Sequence, residues 1–225
     1  RIKNGVLELF RDIKHDPKIQ NPVYENAQAR FRTLELMSKA NQVKGLVIGT
    51  GDLSEIALGW NTYTGDHIAH YNVNCSIPKT LVKYLVKWAA DTQFDAKTKK
   101  ILEDILATPI SPELKKAKNG RDFQETEKLI GPYELHDFYL YQFLRWGHSP
   151  KKILFLANIA WGKKYSDKEL KKWLKIFIER FFKNQWKRSV ATDGPKVGSV
   201  SLSPRGDWRM PSDAEANIWL RDIKE

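Results

Sequence analysis

The chain has 225 residues, of which 41% are hydrophobic and 29% charged, with a net charge of +11. That composition excludes low-complexity and fibrous chains and leaves room for one core, or one and a half domains. The positive balance favours anionic partners, whether nucleotide phosphates or nucleic acid, and no apolar run reaches the ~18 residues of a membrane-spanning helix.

The N-terminus carries no initiator Met, apolar signal core or cleavage site, so the chain reads as an excerpt from a longer protein. A first helix is expected over Val6 to Ile13, stopping before Asp16-Pro17, and Asn21-Pro22 marks a turn. From Tyr24 to Asn41, Ala27, Phe31, Leu34, Met37 and Ala40 recur at spacings of three and four, which predicts one apolar helix face. Asn26 and Arg30 share a different face of that helix, within reach of one ligand. Gly45 to Thr50 is a short apolar run with glycines, the pattern of a buried parallel strand. Gly49 and Gly51 bracket Thr50 at the strand end, and Asp52 or Ser54 is placed to cap a helix from Leu53 to Gly59. A strand, a glycine-lined turn and a helix N-terminus together make the usual seat of a nucleotide in an open α/β sheet.

Cys75 is the sole cysteine, which excludes an internal disulfide, fits a reducing cytoplasm and reads as a small apolar side chain. Beyond it the chain turns helical. Pro78 starts a helix through Ala90 with Leu81, Leu85 and Trp88 on one face, and Ile101 to Leu106 is a short helical piece. Lys115 to Glu125 is polar and reads as a mobile loop. Helices follow from Pro132 to Arg145, stopping at Gly147, and from Pro150 to Trp161. Ser166 and Glu169 have capping-box spacing ahead of an apolar stripe of Leu170, Trp173, Leu174, Phe177, Phe181 and Phe182. Between Lys151 and Arg188 twelve basic residues face three acidic ones, the composition of a solvated helix face or of an anion-binding surface. Ala191 to Pro211 is expected to order on binding, and a last short helix covers Asp213 to Ile223.

Thr50 at the strand end can bond a nucleotide, and Glu55 in the next helical turn can hold a magnesium ion bridging phosphates, although ordinary capping gives the same pattern. Trp60, Tyr63, His67, His70 and Tyr71 crowd one loop, suited to stacking on a ring or to core packing. His67 and His70 have no third metal ligand nearby. Trp186-Lys187-Arg188 can meet a phosphate or carboxylate, or merely end a helix favourably. Arg205-Gly206-Asp207 matches an adhesion tripeptide by chance. No catalytic triad, Walker loop or dinucleotide fingerprint is present, so spacing alone names no reaction.

The residues do, however, resemble a family. Tyr24 to Arg30, Gly49-Thr50-Gly51-Asp52-Leu53-Ser54-Glu55, Ala57-Leu58-Gly59-Trp60 and Tyr71-Asn72-Val73-Asn74 are similar to segments of bacterial NAD+ synthetases. So are Ile77-Pro78-Lys79-Thr80, Ser111-Pro112-Glu113-Leu114, Gly131 to Phe138, Gly194-Pro195-Lys196-Val197 and Ser203 to Arg209. The resemblance runs over nearly the whole chain, and the long helical second half points to the glutamine-dependent branch.

What it implies is an adenine-nucleotide-hydrolase-like, Rossmann-like α/β fold, represented by a fragment of its parallel sheet with a largely helical C-terminal half. Residues 1–114 would be the partial α/β synthetase domain and 115–225 its helical extension and tail. The implied reaction adenylates the nicotinate carboxylate of deamido-NAD+ with ATP and Mg2+, after which ammonia displaces AMP to give NAD+. Thr50, Lys79 and Ser111 match the family's ATP contacts, and Glu55 its magnesium and substrate-carboxylate contact. Asn26, Arg30, Trp60 and Lys187 match the deamido-NAD+ pocket, with Tyr63 and Asp66 beside them. The implied setting is a cytoplasmic homo-oligomer that binds neither nucleic acid nor membrane, with substrate held across a dimer interface. The family's Ser-Gly-Gly-x-Asp-Ser loop and its glutaminase domain do not occur in this sequence and are expected upstream of Arg1, leaving these residues inactive alone. The alternatives are another ATP-pyrophosphatase-superfamily ligase, which would lack the Trp60 and Tyr71-to-Asn74 segments, or a basic nucleic-acid-binding module, which would bind with steep salt dependence.

Overall fold

The computed structural model describes residues 2–108 and 126–224; Ser111 and the expected loop at 115–125 lie outside them. Two helices, α1 (Ile2–Asp12) and α2 (Pro22–Val43), form an antechamber of their own, with Val6, Phe10 and Ala27 buried between them. Asn21 caps α2 by accepting from the amides of Val23 and Tyr24, and Pro22 sits in the first turn where its missing N–H costs nothing. The expected apolar face of α2 is only partly covered: Ala27 and Ala40 are buried, whereas Leu34 is 61% exposed.

Strand β1 (Ile48–Gly49) pairs in parallel with β2 (Tyr71–Asn72), Ile48 opposite Tyr71. The parallel pairing agrees with the sequence, but the strand is shorter than expected and is not buried, since Leu46 is 59% and Ile48 50% exposed. Helix α3 (Leu53–Leu58) follows β1, and α4 (Lys79–Thr92) and α5 (Ala96–Ala107) follow β2. Leu81, Leu85 and Trp88 of α4 share a face as their spacing predicts, yet all three are substantially exposed.

The core lies in the second half. Short α6 (Thr126–Ile130) leads into α7 (Tyr133–Trp146), α8 (Pro150–Trp161), α9 (Asp167–Lys183) and α10 (Gln185–Arg188). Ser166 and Glu169 close the expected capping box on α9, whose stripe is buried except at half-buried Trp173. All six α3 positions except Glu55 are buried, so this helix is a wedge driven into the α7–α9 core. The tail packs against the core: Leu202 is buried, and Trp208 packs edge-on against Phe181. The last helix, α11 (Asn217–Lys224), lays Trp219 against Phe143 and places Ile223 in the same core.

Candidate functional site

The site is built on the N-terminus of α3. Asp52 accepts from the amide of Glu55 at 2.9 Å, and the Glu55 side chain accepts from the amide of Asp52 at 3.2 Å, a reciprocal cap that fixes both carboxylates in one turn. Lys79, the first residue of α4, reaches across to both: its Nζ lies 2.6 Å from Asp52 and 2.8 Å from Glu55. The same ammonium sits over the ring of Tyr133, 5.2 Å from its centre.

Burial governs the charges here. It pushes Asp52 above the ordinary carboxylate range and Glu55 up to about 6, helped for Glu55 by the neighbouring Asp52 charge. Burial alone would lower Lys79, but the two carboxylates outweigh it and hold the ammonium above its usual value. Burial also raises the Tyr133 phenol, whose hydroxyl has no hydrogen-bond partner among the described residues.

Behind the cluster stands Asp137 of α7. It accepts from the Ser54 hydroxyl, from the Thr80 amide at 3.0 Å and from the Thr80 hydroxyl at 2.7 Å. Ser54 in turn accepts from the Lys79 amide at 2.8 Å. Asp137 thereby caps α4, whose N-cap is a proline with no side chain to do so. Sequence reasoning gave Asp137 no role; its inclusion in the Gly131-to-Phe138 segment was the available signal.

The other expected site residues divide into two groups. Thr50 is exposed just past the end of β1, two residues before the Asp52 cap. Trp60 lies half-buried just past α3, where Gly59 ends the helix at φ 60°, a left-handed conformation that suits glycine. A guanidinium from Arg180 covers the Trp60 ring at 4.9 Å while its Nε donates to the carbonyl of Leu58 at 3.0 Å. Lys187 donates to the carbonyls of Gly59 and Asn61 at 2.8 and 2.7 Å, so it braces the Trp60 loop. Burial, reinforced by the Arg180 charge, lowers Lys187 to about 8.

Asn26 and Arg30 do share a face, and they hold the same loop from the other side. Asn26 accepts from the Thr62 hydroxyl at 3.0 Å, and Arg30 donates to the carbonyl of Tyr63 and to Thr64. Both line a cavity of about 620 Å³ between α1, α2 and Thr64. Tyr63 packs on Trp186 at 4.7 Å, and Asp66 closes its turn by accepting from the Thr62 amide at 2.7 Å. His67 and His70 are engaged separately, with the carbonyl of Lys187 and the amide of Val47. Among the described residues no three His, Cys, Asp or Glu side chains gather as a metal cage.

A parallel strand pair that delivers a glycine-bracketed turn to a helix N-terminus, with carboxylates and a lysine at its mouth, is the arrangement of a Rossmann-like α/β fold. The chain belongs to the NAD synthase family, whose model matches residues 2–191. The glutamine-dependent NAD(+) synthetase of Mycobacterium leprae is 47% identical over 221 residues, which is 89% of this chain and 32% of that protein. That of Mycobacterium tuberculosis (strain ATCC 25618 / H37Rv) is 45% identical over 226 residues, 92% of this chain and 33% of that protein. The chain thus spans about a third of the length of these curated relatives. The crystal structure of a glutamine-dependent NAD(+) synthetase from Cytophaga hutchinsonii superposes with a TM-score of 0.76 over all of this chain and 34% of that one, at 18% identity, a likeness of fold.

Proposed function

We propose that these residues are the C-terminal part of the synthetase region of a glutamine-dependent NAD+ synthetase. The reaction is ATP-dependent amidation of deamido-NAD+ through an adenylated nicotinate, with ammonia released from glutamine by a glutaminase region elsewhere in a longer cytoplasmic, homo-oligomeric enzyme. The observation that carries this reading is the Asp52–Glu55–Lys79 cluster at the strand end, in a chain of the NAD synthase family.

In this reading Thr50, Lys79 and Ser111 contact ATP. Lys79 offsets phosphate charge, and its pairing with Glu55 and Asp52 keeps it protonated until phosphate replaces them. Glu55 would hold magnesium, when it is bound, and face the substrate carboxylate. The donor set fits that ion, because Mg2+ retains waters and takes one or two protein carboxylates beside the nucleotide's phosphates. Bound magnesium would offset phosphate charge during adenylation. Trp60, Tyr63, Asp66 and Lys187 form or brace the deamido-NAD+ pocket, and Asn26 and Arg30 hold its loop at Thr62 to Thr64. The chain's own part in the chemistry is positioning and charge placement, which suits a reaction whose difficulty is turning a carboxylate oxygen into a leaving group.

The test is a mutant series in the full-length enzyme. Lys79→Met and Glu55→Gln are expected to lower kcat/KM for ATP at least ~100-fold, about 3 kcal/mol of transition-state stabilisation. Trp60→Ala should act chiefly on KM for deamido-NAD+. Near-normal turnover in the Lys79 and Glu55 variants would sink the assignment. The 225 residues alone are expected to form no NAD+ from ATP, ammonia and deamido-NAD+.

A further inference from the structure

The tail runs along β2 and the turn that follows it, and its contacts are specific. On the side of β2 away from β1, the Asn72 amide donates to the carbonyl of Asp193 at 2.7 Å, so the tail takes the place of a neighbouring strand. Thr192 holds Ala69 from both directions, accepting from its amide at 3.1 Å and donating to its carbonyl at 3.3 Å. Ser76 donates to the carbonyl of Pro195 at 2.7 Å and accepts from the amide of Val197 at 2.9 Å. Gly194 lies so close to β2 that a Cβ there would overlap the carbonyl oxygen of Asn72 and press on the Cys75 sulfur. Arg205 anchors the segment from behind, pairing with Asp193 and donating to the carbonyl of Ala191 at 2.7 Å.

The link to the site is one side chain. Asn72 is buried, its backbone is fixed by the tail, and its Nδ2 donates to the carbonyl of Gly51 at 2.8 Å. Gly51 directly follows Thr50. With a glycine on either side, Thr50 sits in the softest backbone of the site, and a contacting group must be held to about 0.5 Å to be useful.

We propose that residues 192–197 form a strap that sets the Thr50–Gly51 turn, and that Asn72 is the positioning residue through which it acts on ATP binding. The proposal rests on the reading of Thr50 as a nucleotide contact. It differs from a general stabilising role because the Asn72 side chain carries the strap's hold on β2 to the carbonyl beside Thr50.

Steady-state kinetics in the full-length enzyme test it. Asn72→Ala and Ser76→Ala are each expected to raise KM for ATP about five- to tenfold, with KM for deamido-NAD+ little changed. Ser76→Thr, which keeps the hydroxyl, should restore the ATP value. Should Asn72→Ala fail to fold, Ser76→Ala and its Thr rescue carry the same test from the strap's other side. An unchanged KM for ATP, or equal rises in both KM values with a lowered thermal midpoint, would overturn the strap. Thr50→Ala separates the two readings: if it raises KM for ATP while the strap variants do not, the strap alone falls. If Thr50→Ala is itself silent, the nucleotide reading falls and the proposal with it.

Discussion

A single buried imidazole shows how far one residue's surroundings reach into the behaviour of the fold. His136 of α7 is 1% exposed, and its Nε2 lies 2.7 Å from the carbonyl of Ile130. A carbonyl can only accept, so Nε2 carries the proton and Nδ1 is bare, with no partner among the described residues. Protonation would place a second N–H where nothing accepts it, and burial accordingly pushes the group down to about 4. The unfolded chain takes up this proton below about 6.5 and the folded chain does not until about 4. The stability this neutral ring contributes is therefore complete above the unfolded value and is lost as acidity rises from there toward the folded one. Between pH 7 and pH 5 the loss should be about 2 kcal/mol. Urea denaturation of the wild-type chain and of His136→Gln at the two pH values checks this, since the variant should lose less over the same interval. Equal losses in the two proteins would remove the assignment.

At the scale of elements, α3 is held at both ends. Its N-terminus bears the carboxylate pair, and its C-terminal carbonyls are taken up by a collar from α9 and α10. Arg188 donates to the carbonyls of Ala57 at 2.9 Å, Ile56 at 3.4 Å and Phe181, and Arg180 and Asn184 both donate to Leu58. Arg188 is 1% exposed and no carboxylate pairs with it among the described residues; burial lowers it to about 9. A cation so placed is kept by carbonyl dipoles at a helix C-terminus, where positive charge is favoured. Arg188→Ala would leave buried acceptors without donors at about 1–3 kcal/mol each, so a loss of 3 kcal/mol or more is expected, read as a lowered denaturation midpoint. Arg188→Lys should recover only part of it, since one ammonium cannot reproduce the planar fork. A midpoint unchanged in Arg188→Ala would show that the collar is dispensable.

The same element marks what the sequence could reveal. Helix ends were legible where their chemistry is local: Ser166 with Glu169, Pro150 at a first turn, Gly147 past a last one. The turn from Thr50 to Glu55 was legible as a strand end leading into a capped helix for the same reason. Asp137 meeting Ser54 across 83 positions was not, nor was Arg180 covering Trp60, because neither pairing leaves a periodic trace. Lys187, which the resemblance groups with Trp60, bonds to Gly59 and Asn61 and braces the Trp60 loop.

At the scale of the whole molecule, hydrophobic pattern and actual burial part company on one side. The run Gly45 to Ile48 reads as a buried parallel strand, yet β1 has β2 as its one strand neighbour among the described residues, and Leu46 and Ile48 are half or more exposed. Trp88 of α4 is 51% and Ile105 of α5 60% exposed, although each helix has a regular apolar face. Periodicity reports that a face is meant to be covered and carries no information about what covers it. Parallel strands are ordinarily sandwiched between layers, and an open strand edge with apolar flanks invites association. The 225 residues produced alone are therefore expected to bind an apolar reporter dye and to self-associate with rising concentration. A longer polypeptide that continues the sheet past β1 should do neither, and sedimentation velocity with dye fluorescence distinguishes them. If the 225-residue chain stays monomeric and dark to the dye, α4, α5 and β1 are tolerated surfaces, and the need for further sheet beside β1 disappears with them.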